Sequence, residues 1–260
     1  MEARLIRNAS LCSLFAVAVL VAGGVMYLRQ LSLRELGRIE RLANDVKSLR
    51  VGLSTYLDAK AIAERYGTAK YENHWGTRDC AKGYYERCAY QISLKAPSMG
   101  TILRRFPLAR RIGLGAWSGT AFITIENGRV EEYYFSVLFE TPDRQWRGFG
   151  TEEYKSLEER AVAAHVSDSY VVSRNDIMMS ESPNGQGFSL DSTLTPQATE
   201  SERKHAWHYN FSCLARTSGC DEICDALPDA WRDFYVNRGQ FDVQKFGNRY
   251  AFCTKSVVLQ

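Results

Sequence analysis

The residue types best suited to chemistry lie in the distal third of the chain. His205 and His208 stand three apart in HAWH, a spacing that puts two imidazoles on one face of a helix. Cys213, Cys220 and Cys224 follow closely. Imidazole and thiolate are zinc's preferred ligands, so the cluster is a candidate metal site or thiol-dependent catalytic centre. The cysteine spacings match no common zinc pattern, however. Cys80, Cys88 and Cys253 bring the cysteines beyond the N-terminal apolar run to six. An even set of this kind suits an oxidising compartment and up to three disulfides. Cys80 and Cys88 bracket AKGYYER, a gap suited to a local loop closure that stabilises by at most about 3 kcal/mol. Cys220 and Cys224, four apart in a candidate helical turn, have nearly parallel Cβ vectors, which directs each elsewhere, to Cys213 or Cys253. The sequence favours disulfides over metal ligation by His205 and His208.

A second cluster is basic. Arg104, Arg105, Arg110 and Arg111 flank Phe106-Pro107-Leu108. Four guanidinium groups around apolar residues suit anionic lipid headgroups, phosphates or an acidic partner. The plainer alternative is a solvated loop whose Phe and Leu tuck inward. Nucleic acid is not expected, because the net charge is only +3 and no basic run flanks the cluster. The sequence holds no glycine-rich phosphate loop, GxSxG, HExxH or EF-hand loop, and no cofactor is implied. Four histidines in all, with His74 and His165 the remaining two, give few general bases, and the carboxylates are unpaired at any telling spacing.

The elements that must carry these residues begin with Ala9–Leu28, twenty consecutive uncharged residues after a short tail, 1–8. At about 1.5 Å per residue such a helix reaches about 30 Å, the hydrocarbon thickness of a bilayer. The mean hydropathy of the whole chain is −0.31, so this one run serves a water-soluble body. Arg4 and Arg7 before it resemble a signal n-region, but the run's length favours an uncleaved anchor over a cleaved signal. Orientation is contested. Arg29, Arg34, Arg38, Arg41, Lys47 and Arg50 after the run place that side in the cytoplasm by the positive-inside rule. The six cysteines and the signal-like start place it outside, and the sequence is read here as an extracytoplasmic body.

Residues 29–67 read as an amphipathic helical stalk. Leu36, Ile39, Leu42, Val46, Leu49 and Leu53 form one apolar stripe, which packs on the domain or zips into a dimer. Gly52 predicts a break at 51–54. Thr55 and Asp58 have capping-box spacing for a second helix, Tyr56 to Tyr66, stopped by Gly67. In residues 68–260, Ala89–Leu94 is a candidate strand. Asn127-Gly128 predicts a type I′ hairpin pairing Glu126 with Arg129, Ile125 with Val130 and Phe122 with Tyr133. With Phe122, Tyr133, Phe135, Val137 and Phe139 on one face and Ala121, Ile123, Ile125, Val130, Tyr134 and Leu138 on the other, the hairpin is expected to be covered on both sides. Thr151–Val166 reads as a helix, Ser169–Ser173 as a strand and Asn175–Gln197 as a loop with a possible strand at 187–194. A helix is expected from Thr195-Pro196 to about Cys213, and a short helix in Asp229–Tyr235.

The expected fold is therefore α+β: a single N-terminal transmembrane helix, a helical stalk, then an antiparallel sheet with packed helices, stapled by disulfides. The expected function is that of a non-enzymatic, membrane-anchored domain binding an envelope protein or anionic partner. The alternative is a metal- or thiol-dependent enzyme built on His205, His208 and the nearby cysteines.

Overall fold

The computed structural model describes residues 2–70, 77–95, 115, 117–140, 146–155, 176–181, 187–216, 219–220, 223–230 and 232. It is a mixed α+β structure with one N-terminal apolar helix. Helix α1, Glu2–Ser48, is unbroken. At 1.5 Å per residue it is about 70 Å long, and its apolar side chains pass from exposed to buried along its length. Phe15, Leu20, Met26 and Tyr27 in its first half are exposed, whereas Leu36, Ile39, Leu42, Ala43 and Val46 in its second half are buried. A core helix of a soluble protein would bury its most apolar window; here that window is 6% buried.

The break predicted at Gly52 is present, with Gly52 at φ +75°. The loop is held by backbone bonds to one residue: Gly52 N–H donates to Val130 O at 2.7 Å, and Val130 N–H donates to Ser54 O at 2.9 Å. Helix α2, Tyr56–Tyr66, then starts on the Thr55–Asp58 capping box. The Thr55 backbone N–H and hydroxyl hold the Asp58 carboxyl below its ordinary value. Gly67, at φ +78°, ends the helix.

Among the described residues the sheet has seven strands in the order β1-β2-β3-β4-β5-β7-β6. They are β1, Arg78–Asp79; β2, Arg87–Lys95; β3, Trp117–Glu126; β4, Arg129–Glu140; β5, Trp146–Tyr154; β6, Asp176–Glu181; and β7, Gly187–Leu194. The β1–β2 and β5–β7 pairs are parallel and the others antiparallel. Among the described residues, short helices follow: α3, Glu200–Ala206; α4, Phe211–Leu214; and α5, Ile223–Ala226; residues 228–230 and 232, where a short helix is expected, are helical too.

The hairpin turn forms at Asn127-Gly128, with both residues at positive φ. Glu126 pairs with Arg129 and Ile125 with Val130. Beyond them a bulge intervenes, and Tyr133 pairs with Ile123 rather than with Phe122. Glu131 is the extra residue, and its carbonyl is taken by Lys155 N–H at 2.9 Å. Because strand side chains alternate, one inserted residue reverses the faces. The expectation of two apolar faces is thereby corrected. Ala121, Ile123, Ile125, Val130, Tyr133, Phe135, Val137 and Phe139 all fall on one buried face, while Phe122, Tyr134 and Leu138 lie on the other and are partly or largely exposed. The buried face receives α1 from Leu36 to Leu49, and Gly119 sets how closely: a Cβ there would lie 2.6 Å from Ile39 Cγ2.

Three further expectations change. Thr151–Tyr154 is strand, not the start of a helix, because β5 is paired on both sides, by β4 and β7. Within the expected loop, Asp176–Glu181 forms β6 on β7. The helix expected from Thr195 begins at Glu200, capped by Thr199 with Glu202 in a reciprocal box; Thr195 instead holds a turn, accepting from Ala198 N–H. That helix stops at Ala206, not near Cys213. Residues 156–166, 169–173 and 233–260 lie outside the described residues.

Candidate functional site

Two places gather polar side chains. The first is a cleft where α2 turns back against α1. Arg38, Arg41, Asn44 and Asp45 come from the polar side of α1, and Arg65 and Tyr66 from the last turn of α2. They line a cavity of about 300 Å³. Asp45 ties the walls together: Arg65 Nη1 donates to its Oδ2 at 2.6 Å and the Tyr66 hydroxyl donates at 2.7 Å. Partial burial, and then the bond to Asp45, push the Tyr66 phenol up to about 12. Arg38 is held on its own helix by Glu35 at 3.1 Å. Arg41 makes no hydrogen bond or ion pair among the described residues and is exposed. Three guanidinium groups therefore face one carboxylate.

The second place is a buried clamp at the C-terminal end of α1, just beyond the cleft. Arg203 of α3 is 7% exposed. Its Nη2 donates to Lys47 O at 2.6 Å, Leu49 O at 3.0 Å and the Tyr133 hydroxyl at 2.9 Å, and its Nε donates to Glu153 Oε2 at 3.0 Å. The Tyr133 hydroxyl in turn donates to Glu153. The last carbonyls of a helix have no partner within it and carry its negative end, so a buried cation here satisfies both needs. Burial and the Glu153 carboxylate push the Tyr133 phenol far above its ordinary value. Through these bonds the clamp joins the end of α1, β4, β5 and α3, and its groups are spent on one another and on backbone carbonyls.

The residues singled out in the sequence fall as follows. Cys80 is disulfide-bonded to Cys88 and Cys213 to Cys220, and Cys224 is also disulfide-bonded. The cysteines near the histidines are thus not thiolates, and the cluster of thiol ligands required by the enzymatic alternative does not form. Nor do His205 and His208 share a helical face. The helix ends at Ala206, and His208 Nδ1 instead faces Asp229 Oδ2 at 2.5 Å, with Arg232 on the other carboxylate oxygen. Among the described residues no group of three or more His, Cys, Asp or Glu side chains is placed to hold a metal ion. Cys253 and the arginines Arg104, Arg105, Arg110 and Arg111 lie outside the described residues.

Sequence reasoning did not reach the cleft or the clamp. Arg38, Arg41 and Asp45 recur at helical spacing opposite the apolar stripe, which is a readable signal. Their meeting with Arg65 and Tyr66 depends on how α2 packs, which is not. No protein-family model matches the chain, and no characterised protein or solved structure does either.

Proposed function

We propose that this is a single-pass membrane protein whose disulfide-bonded domain stands outside the cytoplasm and binds a protein partner at its membrane-distal end. One observation carries the binding part. Leu53, Leu57 and Tyr84 are 70%, 68% and 53% exposed, and all three belong to segments that converge on the hairpin turn. Tyr56 N–H donates to Gly128 O at 2.9 Å, Tyr56 packs edge-on against Tyr84 at 5.1 Å, and Arg129 Nη1 donates to the carbonyls of Gly52 and Leu53. Apolar side chains gathered at one tip and left in water mark interaction surfaces in soluble domains. The tip adjoins the end of α1, about 30 Å along the helix from Leu28, so it faces away from the bilayer.

The membrane part of the reading is supported by the apolar, exposed first half of α1, and the compartment by the disulfides. Reporter fusions after Gly67 test the compartment: one reporter active only outside the cytoplasm should give signal, and one active only inside should not. A photo-crosslinking residue at position 57 tests the tip. It should give a discrete adduct that Leu53→Glu abolishes, while the same residue at position 216 gives none. A cytoplasmic reporter signal, or position 57 giving no adduct, would overturn the proposal.

A further inference from the structure

We infer that the cleft between α1 and α2 is a binding site for a small soluble anion, one carrying a phosphate or several carboxylates, with Arg41 as its principal contact. The inference does not depend on the tip.

The charge balance of the cleft is the first reason. Its lining holds Arg38, Arg41 and Arg65 against Asp45 alone. Asp45 is already the acceptor for both Arg65 and Tyr66, and Glu35, which pairs with Arg38, lies outside the lining. Arg41 is left with no partner among the described residues although it lines the cavity. Guanidinium groups in a concave site match phosphate and carboxylate by paired N–H donors. Size is the second reason. About 300 Å³ is at the small end of ligand cavities, enough for a metabolite-sized anion and too little for a folded segment.

Position excludes one source of such anions. Helix α1 runs unbroken from the apolar segment into the cleft. Arg38 and Arg41 follow Leu28 by ten and thirteen residues, which is about 15–20 Å along the helix. The headgroup layer adds only about 5–8 Å to each side of the hydrocarbon core. A bilayer phosphate therefore falls short of Arg41, and the anion comes from solution.

The test uses the full chain in uncharged detergent at low ionic strength, titrated calorimetrically with citrate and with inorganic phosphate. At least one should bind saturably, with one site. Arg41→Gln should weaken that binding at least about tenfold, the loss of one charge-assisted contact. It should leave the thermal midpoint unchanged, because Arg41 is exposed and unpartnered. Arg216→Gln, at an exposed arginine that does not line the cleft, should leave binding unchanged. Repeating the titration in nanodiscs of neutral lipid and of neutral lipid mixed with phosphatidylglycerol separates the sources. Equal affinity in both supports an anion from solution. A tenfold loss in the anionic discs means that headgroups fill the site and overturns the inference. So does binding of neither probe, or an Arg41→Gln variant that binds as the parent does.

Discussion

Replacing Arg203 with Met should be the most destabilising single change of a charged residue in this domain. Arg203 makes four hydrogen bonds, two of them to the Lys47 and Leu49 carbonyls at the end of α1 and just beyond it, and two to Tyr133 and Glu153. Methionine fills much of the space and satisfies none of them. The Glu153 carboxylate, only 14% exposed, keeps Tyr133 but loses its counter-charge. Removing one partner of a fully buried pair costs about 3–5 kcal/mol. The residual exposure of Glu153 argues for the lower end, about 3 kcal/mol. For a chain of this size that is a fall of roughly 6–12 °C in thermal midpoint. Trp207, buried 5.8 Å from the Tyr133 ring, reports on the region by its fluorescence during a melt of the full-length protein in detergent. The mechanism makes a second demand. Glu153→Gln should lower the midpoint in the parent but raise it in the Arg203→Met background, because there it neutralises an unpaired buried charge. A single variant within about 2 °C of the parent, or two substitutions whose effects simply add, would refute the clamp as a coupled ionic unit.

Other consequences can be measured in the same way. Gly119→Ala should cost about 1–3 kcal/mol, because the new methyl meets the fully buried Ile39 at 2.6 Å; Ile39→Val, which shortens that side chain, should recover part of the loss in a thermal melt. Tyr66 keeps its proton in the folded state up to about pH 12, whereas an unfolded tyrosine loses it near pH 10, so stability is complete below pH 10 and falls between the two values. Phenolate absorbance should show the late titration, and Tyr66→Phe should flatten the alkaline stability slope. Of the seven cysteines, two disulfides take four and Cys224 is bonded, while Cys12 sits in the apolar run. Peptide mapping should therefore find Cys224 joined to Cys253, and Cys253→Ser should leave Cys224 open to alkylation.

How much was legible depended on the range of the forces that decide each feature. The Asn127-Gly128 turn and the Thr55–Asp58 capping box are settled within four residues, and both were readable. The register beyond the turn was not. It is changed by a bulge at Glu131, and the bonds that accompany the bulge come from Gly52 and Ser54, far back in the sequence. Strand β5 was hidden for a related reason. Its inward positions include Thr151 and Glu153, which break the apolar alternation that marks a strand. They are tolerated because Ala206 O accepts from Thr151 at 2.6 Å and Arg203 meets Glu153. The strand's polar face makes sense only once α3 is laid over it. The histidines misled because helical spacing was assumed to continue past Ala206, and a helix that stops there turns an i, i+3 pair into two unrelated side chains.

The clamp and the cleft sit on the same helix, and that helix is the one apolar enough to cross a membrane. From Leu36 onward α1 is a core element: Ile39, Leu42 and Val46 have no exposure, so the residues that a dimeric coiled coil would use are covered by this chain's own sheet. No flexible linker separates the apolar run from the domain, because the helix is unbroken through Ser48. Flexible tethers let a domain tumble, with a reach that grows as the square root of their length. A continuous helix instead fixes both height and rotation. With the apolar run in a bilayer, as proposed, the heights of the cleft and of the tip follow from residue number alone, about 20 Å for Arg41 and about 30 Å for the loop beyond Ser48. Inserting four residues after Leu28 adds about one turn, which raises both sites by about 6 Å while nearly preserving their rotation; inserting two turns them by about 200° for half the rise. A partner that docks at the tip from a neighbouring membrane protein should tolerate the first insertion better than the second, whereas binding of a soluble anion in the cleft should be indifferent to both.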